Sequence, residues 1–193
     1  MRRRQYLAAA TAGIVGTAGC LGDTEYTITA ALGTSLSDQL AVTVDVIDGG
    51  ITVDSNGILT ATITNNRTRP VTIRARDVWP FGLLMLEAEK EANVISTTLL
   101  QSASYGQTDR VRITNTGVSA ENDHVTRSLA AGESKTVSYE IDGGRLTATG
   151  TMDIKSYFES YPIVFDYQTA SMSTWTSVTQ VGTVNISERS LLS

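Results

Sequence analysis

The sequence predicts an all-β fold, an antiparallel sandwich, behind a short N-terminal signal segment. After about residue 25, Val, Ile, Thr and Tyr alternate with polar residues in short runs. Alternation with a period of two puts successive side chains on opposite faces of a strand, as in half-buried sheets. Gly, Asn, Asp and Pro bound these runs and favour the tight turns that antiparallel strands need.

The alternation predicts a series of strands, in chain order Tyr26–Ala31, Leu40–Ile47, Ile58–Thr64, Val71–Arg76, Arg110–Thr114, Lys135–Ile141, Leu146–Ile154, Ile163–Tyr167 and Gln180–Ile186. Residues that tolerate positive φ or bond to their own backbone lie between them. They predict turns at Asp48–Gly50, Asn56–Gly57, Asn65–Arg69, Ala131–Glu133 and Asp142–Gly144.

One segment departs from the strand pattern. Leu83–Val94 reads LLMLEAEKEANV and is rich in strong helix formers, with charged residues after an apolar start. We therefore expect a short helix here, or a crossover between the two sheets.

Two turn regions resemble a known architecture. The segment ITNN at 63–66 ends a predicted strand before a bend, and AAGESKTV at 130–137 starts a later strand from a turn. Both are similar to the middle strands of immunoglobulin-like domains in archaeal and bacterial surface lipoproteins. The resemblance implies an immunoglobulin-like sandwich and no particular activity, because sandwiches support many unrelated functions.

The first nineteen residues have the layout of an export signal. Arg2, Arg3 and Arg4 form a basic head, and no charged residue follows until Asp23. Ala, Gly and Thr dominate the stretch between, which is too weakly apolar for a membrane span of about 20 residues. The segment RRQYL at 3–7 resembles a twin-arginine signal, which implies that Arg3 and Arg4 direct export.

The only cysteine, Cys20, follows the small residues TAG at 17–19. This segment resembles a lipobox, in which the cysteine thiolate accepts a lipid as a thioether before its amine becomes the mature N-terminus. The resemblance implies a signal peptide over 1–19, a lipidated Cys20 and tether over 20–24, and one sandwich domain over 25–188. An uncleaved N-terminal anchor or a buried, inert cysteine are the alternatives.

The composition limits the possible partners. Without residues 1–19, 174 residues remain (193 − 19), and loss of three arginines takes the formal charge from −5 to −8. An acidic chain with three lysines resembles secreted proteins of salt-loving archaea. Because no basic stripe is present, nucleic-acid binding is not expected. A single cysteine also permits no intrachain disulfide.

Residues for catalysis or metal binding are scarce. His124 is the only histidine, and no G-x-S-x-G or S-x-x-K motif accompanies it, so we expect a solvated loop histidine and no enzyme. One His and one Cys cannot supply a copper or zinc site, and no cofactor is expected. Asp45, Asp48, Asp54 and Asn56 put oxygen donors near two turns, which leaves calcium as an alternative to turn chemistry.

The segment DVWPFG at 77–82 contains two large aromatic residues, Trp79 and Phe81. Because it follows a predicted central strand, a core tryptophan is one interpretation. The other is an aromatic loop that binds a partner, with Trp79 and Phe81 as the binding residues.

Two sequons, at Asn66 and Asn185, are candidate N-glycosylation sites. Asn66 lies at a predicted turn, where an acceptor amide is accessible. Asn185 lies inside a predicted strand and is the weaker candidate.

These observations predict a lipoprotein anchored to the outer face of the cytoplasmic membrane through Cys20. We expect a non-catalytic binding or accessory module whose partner is another envelope or surface protein. A hydrolase with an acidic site at the loop end of the sandwich is one alternative. A small solute-binding lipoprotein is the other.

We predict that Cys20→Ser releases the protein from the membrane or leaves it as unprocessed precursor, because a hydroxyl does not accept the thioether. Fractionation of the host cells, with mass spectrometry of the N-terminus, measures both outcomes. An unprocessed Cys20→Ser chain that stays fully in the membrane would instead indicate a simple hydrophobic anchor.

Overall fold

The computed structural model of the chain describes residues 25–37, 40–52, 54–90, 94–114, 117–158 and 160–189. Arg3, Arg4, Cys20 and the segments 1–19 and 20–24 lie outside these residues. The strands are β1 Glu25–Gly33, β2 Ser35–Ser37, β3 Leu40–Asp48, β4 Gly50–Ile51, β5 Gly57–Asn65, β6 Val71–Arg76, β7 Leu84–Lys90, β8 Val94–Leu99, β9 Val111–Thr114, β10 Gly117–Ala120, β11 His124–Leu129, β12 Ser134–Ile141, β13 Gly150–Ser156, β14 Phe165–Thr169, β15 Thr176–Val178 and β16 Gln180–Arg189. Short 3-10 helices span Ala103–Gln107 and Gly143–Arg145.

The strands form antiparallel sheets, which confirms the predicted all-β, sandwich-like fold. A six-stranded sheet has the order β4-β1-β16-β13-β7-β8, and two four-stranded sheets have the orders β12-β5-β3-β2 and β11-β6-β14-β15. Strands β9 and β10 form a separate hairpin. One hydrophobic cluster contains buried residues from all three larger sheets.

Alternation along β5 shows how the sequence builds the core. Leu59, Ala61 and Ile63 are buried, while the threonines between them lie on the other face. On that face, Thr62 bonds to Thr136 of β12 at 2.8 Å between hydroxyl oxygens. The buried face therefore packs into the core, and the polar face is tied to the neighbouring strand.

The predicted helix over Leu83–Val94 is wrong, because Leu84–Lys90 forms strand β7. This strand lies between β13 and β8, and Leu84, Met85 and Leu86 are all buried in succession. Burial on both faces of an interior strand outweighs intrinsic helix propensity, which differs between residues by only about 0.7 kcal/mol. Strand β13 also begins at Gly150, four residues later than predicted, and residues 146–149 form an irregular link between it and the 3-10 helix.

Asn65 joins the two four-stranded sheets. Its fully buried amide Nδ2 donates to the backbone oxygens of Arg69, Leu129 and Ala130 at 3.0, 3.0 and 2.9 Å. Its backbone N–H donates to the carbonyl of Glu133 at 2.9 Å. The chain crosses from β5 to β6 and returns from β11 to β12 at this point, so one residue holds both crossings together.

The return crossing depends on Gly132, which confirms the predicted turn. Gly132 has φ of 71°, a left-handed conformation that favours glycine, and its N–H donates to the Asn65 carbonyl at 2.9 Å. The N–H of Ala130 donates to the Glu133 carboxylate at 2.6 Å. The turn is thus bonded both to itself and to the end of β5.

We predict that Asn65→Ala lowers the free energy of unfolding by about 3 kcal/mol, because it leaves one buried and two partly buried carbonyl oxygens without their donor. The adjacent Asn66 is exposed and provides the matched control. Asn66→Ala should change the free energy by no more than about 0.5 kcal/mol. Denaturant unfolding of the full chain tests this, and equal effects of the two substitutions would contradict the assigned role of Asn65.

Candidate functional site

A cleft of about 490 Å³ opens where the two four-stranded sheets separate. Strands β11 and β12 are the end strands of these sheets, and the turn at 130–133 connects them. The segment after β6 and the segment containing the first 3-10 helix complete the walls. The lining residues are Asp77, Val78, Trp79, Ser102, Ala103, Ser104, Gln107, Thr108, Arg110, Val125, Arg127, Lys135, Thr136, Val137 and Ser138.

Asp77 is the carboxylate of the inner wall. It is 2% exposed and has φ of 59°, a left-handed conformation that is uncommon outside glycine. Its N–H donates to the Asp123 carbonyl at 2.8 Å, and its Oδ1 accepts from the Asp123 N–H at 3.1 Å. These bonds fix the backbone and one carboxylate oxygen.

Three polar atoms of the inner wall are buried without a hydrogen-bond partner in the described part of the chain. They are Oδ2 of Asp77, the indole Nε1 of Trp79 and Nη1 of Arg110. Buried polar atoms are nearly always bonded, because an unpaired one costs about 1–3 kcal/mol. Two donors and one acceptor that can each take a further bond, from water or from a ligand, make this cleft the candidate binding site.

Burial raises the pKa of the Asp77 carboxyl above its ordinary value of 3.8. The backbone N–H groups of Asp123 and Asn122 and the positive charge of Arg110 act in the opposite direction without cancelling the effect of burial. The charged form of Asp77 is thus disfavoured in the folded protein.

Trp79 lies between the hydrophobic core and the cleft. Its side chain is half-buried against the hydrophobic core, and it also lines the cleft. The Arg127 guanidinium carbon lies 5.6 Å from the ring centroid, within the range of a cation–π contact. The peptide bond between Trp79 and Pro80 is cis.

The rim of the cleft is basic. Arg127 and Lys135 are exposed, yet they lie on the inner faces of their strands, in line with buried Leu129 and Val137. With Arg110 the lining carries three basic residues against the single acid Asp77, a net charge of +2 (3 − 1). The chain as a whole carries a formal charge of −5, so the lining differs in sign from the rest of the protein.

Sequence reasoning missed Asp77, Arg110, Arg127 and Lys135. They lie far apart along the chain, on β11, on β12, after β6 and before β9, and the fold brings these four segments to one cleft. The one available signal was the placement of Lys135 in a predicted strand, at a position where the alternation with Val137 and Tyr139 calls for an apolar residue.

Phe81 is not a partner-binding residue. It is 1% exposed, and its ring meets that of Phe165 edge-on with centroids 5.9 Å apart. A side chain packed in this way belongs to the core and cannot contact a partner. Of the two predicted aromatic residues, Trp79 lines the cleft and Phe81 supports the wall from behind.

His124 begins β11 and lies outside the cleft lining. It pairs with Arg76 in the register of the sheet, and its ring meets Tyr161 edge-on at 6.2 Å between centroids. Partial desolvation of the ring, followed by the charges of Arg74 and Arg76, lowers the pKa of His124 below 6.5. Because side chains alternate along β11, His124 faces away from Arg127.

The acid near His124 is already engaged. Asp166 accepts two bonds from Arg74, at 3.0 and 2.8 Å, and one from the Ser177 hydroxyl at 2.7 Å. Arg74 also stacks on Trp175 at 4.4 Å from the ring centroid. This arrangement is an ion pair that holds β6 against β14, and it offers no base to a nucleophile.

The two sequons differ in accessibility. Asn66 is exposed in the bend after β5. The Asn185 side chain accepts from the Thr29 hydroxyl at 2.8 Å and donates to the Thr151 hydroxyl at 3.1 Å. Asn66 therefore remains the better predicted acceptor.

Two of the residues considered for calcium, Asp48 and Asn56, make hydrogen bonds within the protein. Asp48 Oδ1 accepts from the Gly50 N–H at 2.9 Å, and Asn56 donates to Glu140 at 3.0 Å. Within the described ranges, no three His, Cys, Asp or Glu residues group in a way that could hold a metal ion. In the same ranges, no helix has the length and apolar character needed to cross a membrane.

The fold and the cleft define an all-β sandwich-like protein with a basic site between two end strands. The chain belongs to the family described as Domain of unknown function (DUF8130), whose model matches residues 1–193. No curated protein and no solved structure matches the chain.

We predict that Asp77→Asn stabilises the protein at neutral pH. The raised pKa means that the folded state binds a proton more tightly than the unfolded state, so the carboxyl destabilises the fold increasingly as pH rises above about 4. The asparagine oxygen can still accept from Asp123, and asparagine tolerates the left-handed backbone.

Calorimetric melting of both proteins between pH 3 and pH 8, in molar KCl, measures this difference. The melting temperature of Asp77→Asn should exceed that of the parent chain at pH 7, and the gap should close as pH falls. A constant gap, or a less stable variant at pH 7, would show that burial does not disfavour the Asp77 charge.

Proposed function

We propose that the protein is a non-catalytic binding module of the cell envelope, lipid-anchored through Cys20, and that the cleft between β11 and β12 is its binding site. The observation that carries this proposal is the set of unpaired buried atoms on Asp77, Trp79 and Arg110. A bound ligand can complete their hydrogen bonds, which offsets the cost of leaving them unpaired. The cleft volume of about 490 Å³ also falls within the range of small-ligand sites, about 300–1,000 Å³.

The chemistry of the lining supports binding over hydrolysis. Glycoside hydrolysis uses a pair of carboxyl groups, and the cleft lining contains one, Asp77. A serine hydrolase needs a histidine within hydrogen-bond reach of its nucleophile, and His124 lies on the other face of β11. The loop-end hydrolase is therefore the weaker alternative.

The proposed anchor places the module next to the membrane. Strand β1 begins at Glu25, five residues after Cys20 (25 − 20). An extended chain spans at most about 3.6 Å per residue, so the sandwich would lie within roughly 20 Å of the lipid surface. Such a short tether suits recognition of components of the same envelope, and it equally allows the small-solute alternative.

Site-specific photocrosslinking in the native membrane tests the proposal. Ser138→Cys introduces a thiol at the exposed rim of the cleft, and Ser119→Cys places an exposed thiol on β10, away from the lining. A benzophenone maleimide on either thiol inserts into C–H bonds of whatever lies within reach. The parent chain corrects for any labelling of Cys20.

We expect a discrete adduct from position 138 and none from position 119. Loss of that adduct in a Ser138→Cys chain that also carries Arg127→Gln would link it to the cleft. Identical adducts from both positions, or none from position 138, would contradict the cleft as a binding site. A rim adduct of small mass without any protein would favour the solute-binding alternative.

A further inference from the structure

We infer that the cleft binds an acidic saccharide, a sugar ring that carries a carboxylate beside free hydroxyls. This inference rests on the proposed binding function and specifies its ligand. The same chemistry is present in a free uronic acid and in an acidic glycan, and the two differ in length.

The basic residues at the rim of the cleft indicate that the ligand carries a negative charge. Arg110, Arg127 and Lys135 line the cleft together, although the mature chain has only twelve basic residues (15 − 3) against twenty acidic ones. A guanidinium and an ammonium at one opening can both bond to a carboxylate, and charge-assisted bonds of this kind are stronger than neutral ones. Because molar salt shortens the screening length to about 3 Å, such direct contacts persist where long-range attraction is lost.

The unpaired polar atoms of the inner wall indicate that the ligand also carries hydroxyl groups. Trp79 Nε1 and Arg110 Nη1 are donors that need an acceptor, whereas Asp77 Oδ2 needs a donor. A bare anion would satisfy the two donors and would be repelled by Asp77. A hydroxyl group accepts one bond and donates another, so it suits a wall that presents both kinds of atom.

A sugar ring also suits the surface between rim and wall. The half-buried Trp79 ring borders the cleft and lies 5.6 Å from the Arg127 guanidinium carbon. An aromatic ring packs against the C–H groups of a sugar while the cation beside it binds the carboxylate.

Inward charges on end strands have a second known effect, which is to prevent edge-to-edge pairing of sheets. That effect accounts for Arg127 and Lys135. It leaves the unpaired atoms of Asp77, Trp79 and Arg110 unexplained, and it predicts no affinity for sugars.

Calorimetric titration of the full chain in detergent, in molar KCl, tests the inference. The probes are galacturonate, its uncharged methyl ester, galactose, inorganic phosphate and a galacturonate trimer. We expect galacturonate to bind at least tenfold more tightly than the methyl ester, galactose or phosphate. A tighter complex with the trimer indicates a glycan as the source of the ligand, and equal affinity indicates a free sugar; either supports the inference.

Arg127→Gln and Lys135→Gln should each weaken galacturonate binding about tenfold, as expected for loss of one charge-assisted bond. Both side chains are exposed, so neither substitution should impair folding, and thermal melting checks this. Arg112→Gln, which removes an exposed arginine of β9 outside the cleft lining, should leave the affinity unchanged.

Equal affinity for galacturonate and its methyl ester, tighter binding of phosphate, or no galacturonate binding would overturn the acidic-saccharide inference. The photocrosslinking experiment at position 138 tests the proposed function independently of these titrations. A rim adduct without galacturonate binding would preserve the binding site and reject its assigned ligand, whereas the absence of any adduct from position 138 would reject the proposed function itself.

Discussion

The buried amide of Asn65 lies where the chain twice crosses between the two four-stranded sheets, and the rest of the sandwich depends on its bonds. Its three donor contacts reach the end of β11 and the segment that leads into β6. An apolar residue at this position would leave the buried Leu129 oxygen and the partly buried oxygens of Arg69 and Ala130 without these donors. A polar group in the core is favourable here only because its bonds are complete.

The cleft is a consequence of this junction. The short turn at 130–133 keeps the ends of β11 and β12 together, and each strand then pairs with its own sheet, β6 on one side and β5 on the other. The space that opens between them is bordered by inner-face positions that would otherwise belong to the core. Arg127 and Lys135 occupy such positions, and the segment carrying Asp77 and Trp79 closes the inner wall. A sandwich of this kind gains a polar site without an additional domain.

Much of the fold was predictable because the alternation of apolar and polar residues is a local signal. Strand β5 and the turn at Gly132 follow directly from it. Strand β7 did not, because Leu84 and Leu86 are buried on one face and Met85 on the other, so the strand begins without alternation. Strand β11 was also missed, since five of its six residues are exposed or only half-buried, which leaves little apolar pattern to read.

The site was less predictable than the fold, for a physical reason. Trp79 was identified as an aromatic candidate, but the basic residues that line the cleft with it, Arg110, Arg127 and Lys135, come from 31 to 56 residues further along the chain (110 − 79 and 135 − 79). The left-handed backbone of Asp77 and the unpaired state of its Oδ2 depend on contacts with Asp123 that no local pattern encodes. Phe81, two residues from Trp79, is buried in the core, whereas Trp79 borders the cleft, although both belong to the same short motif.

The central claim is that ligands bind at the Trp79 cleft. It is tested most directly by the indole N–H signals in a proton–nitrogen NMR spectrum of the full chain in detergent. The chain has two tryptophans, Trp79 in the cleft and Trp175 stacked on Arg74 of the other face. Addition of galacturonate should shift the Trp79 signal and leave that of Trp175 in place. A shift of Trp175 alone would move the binding site to the opposite face of the sheet and contradict the account.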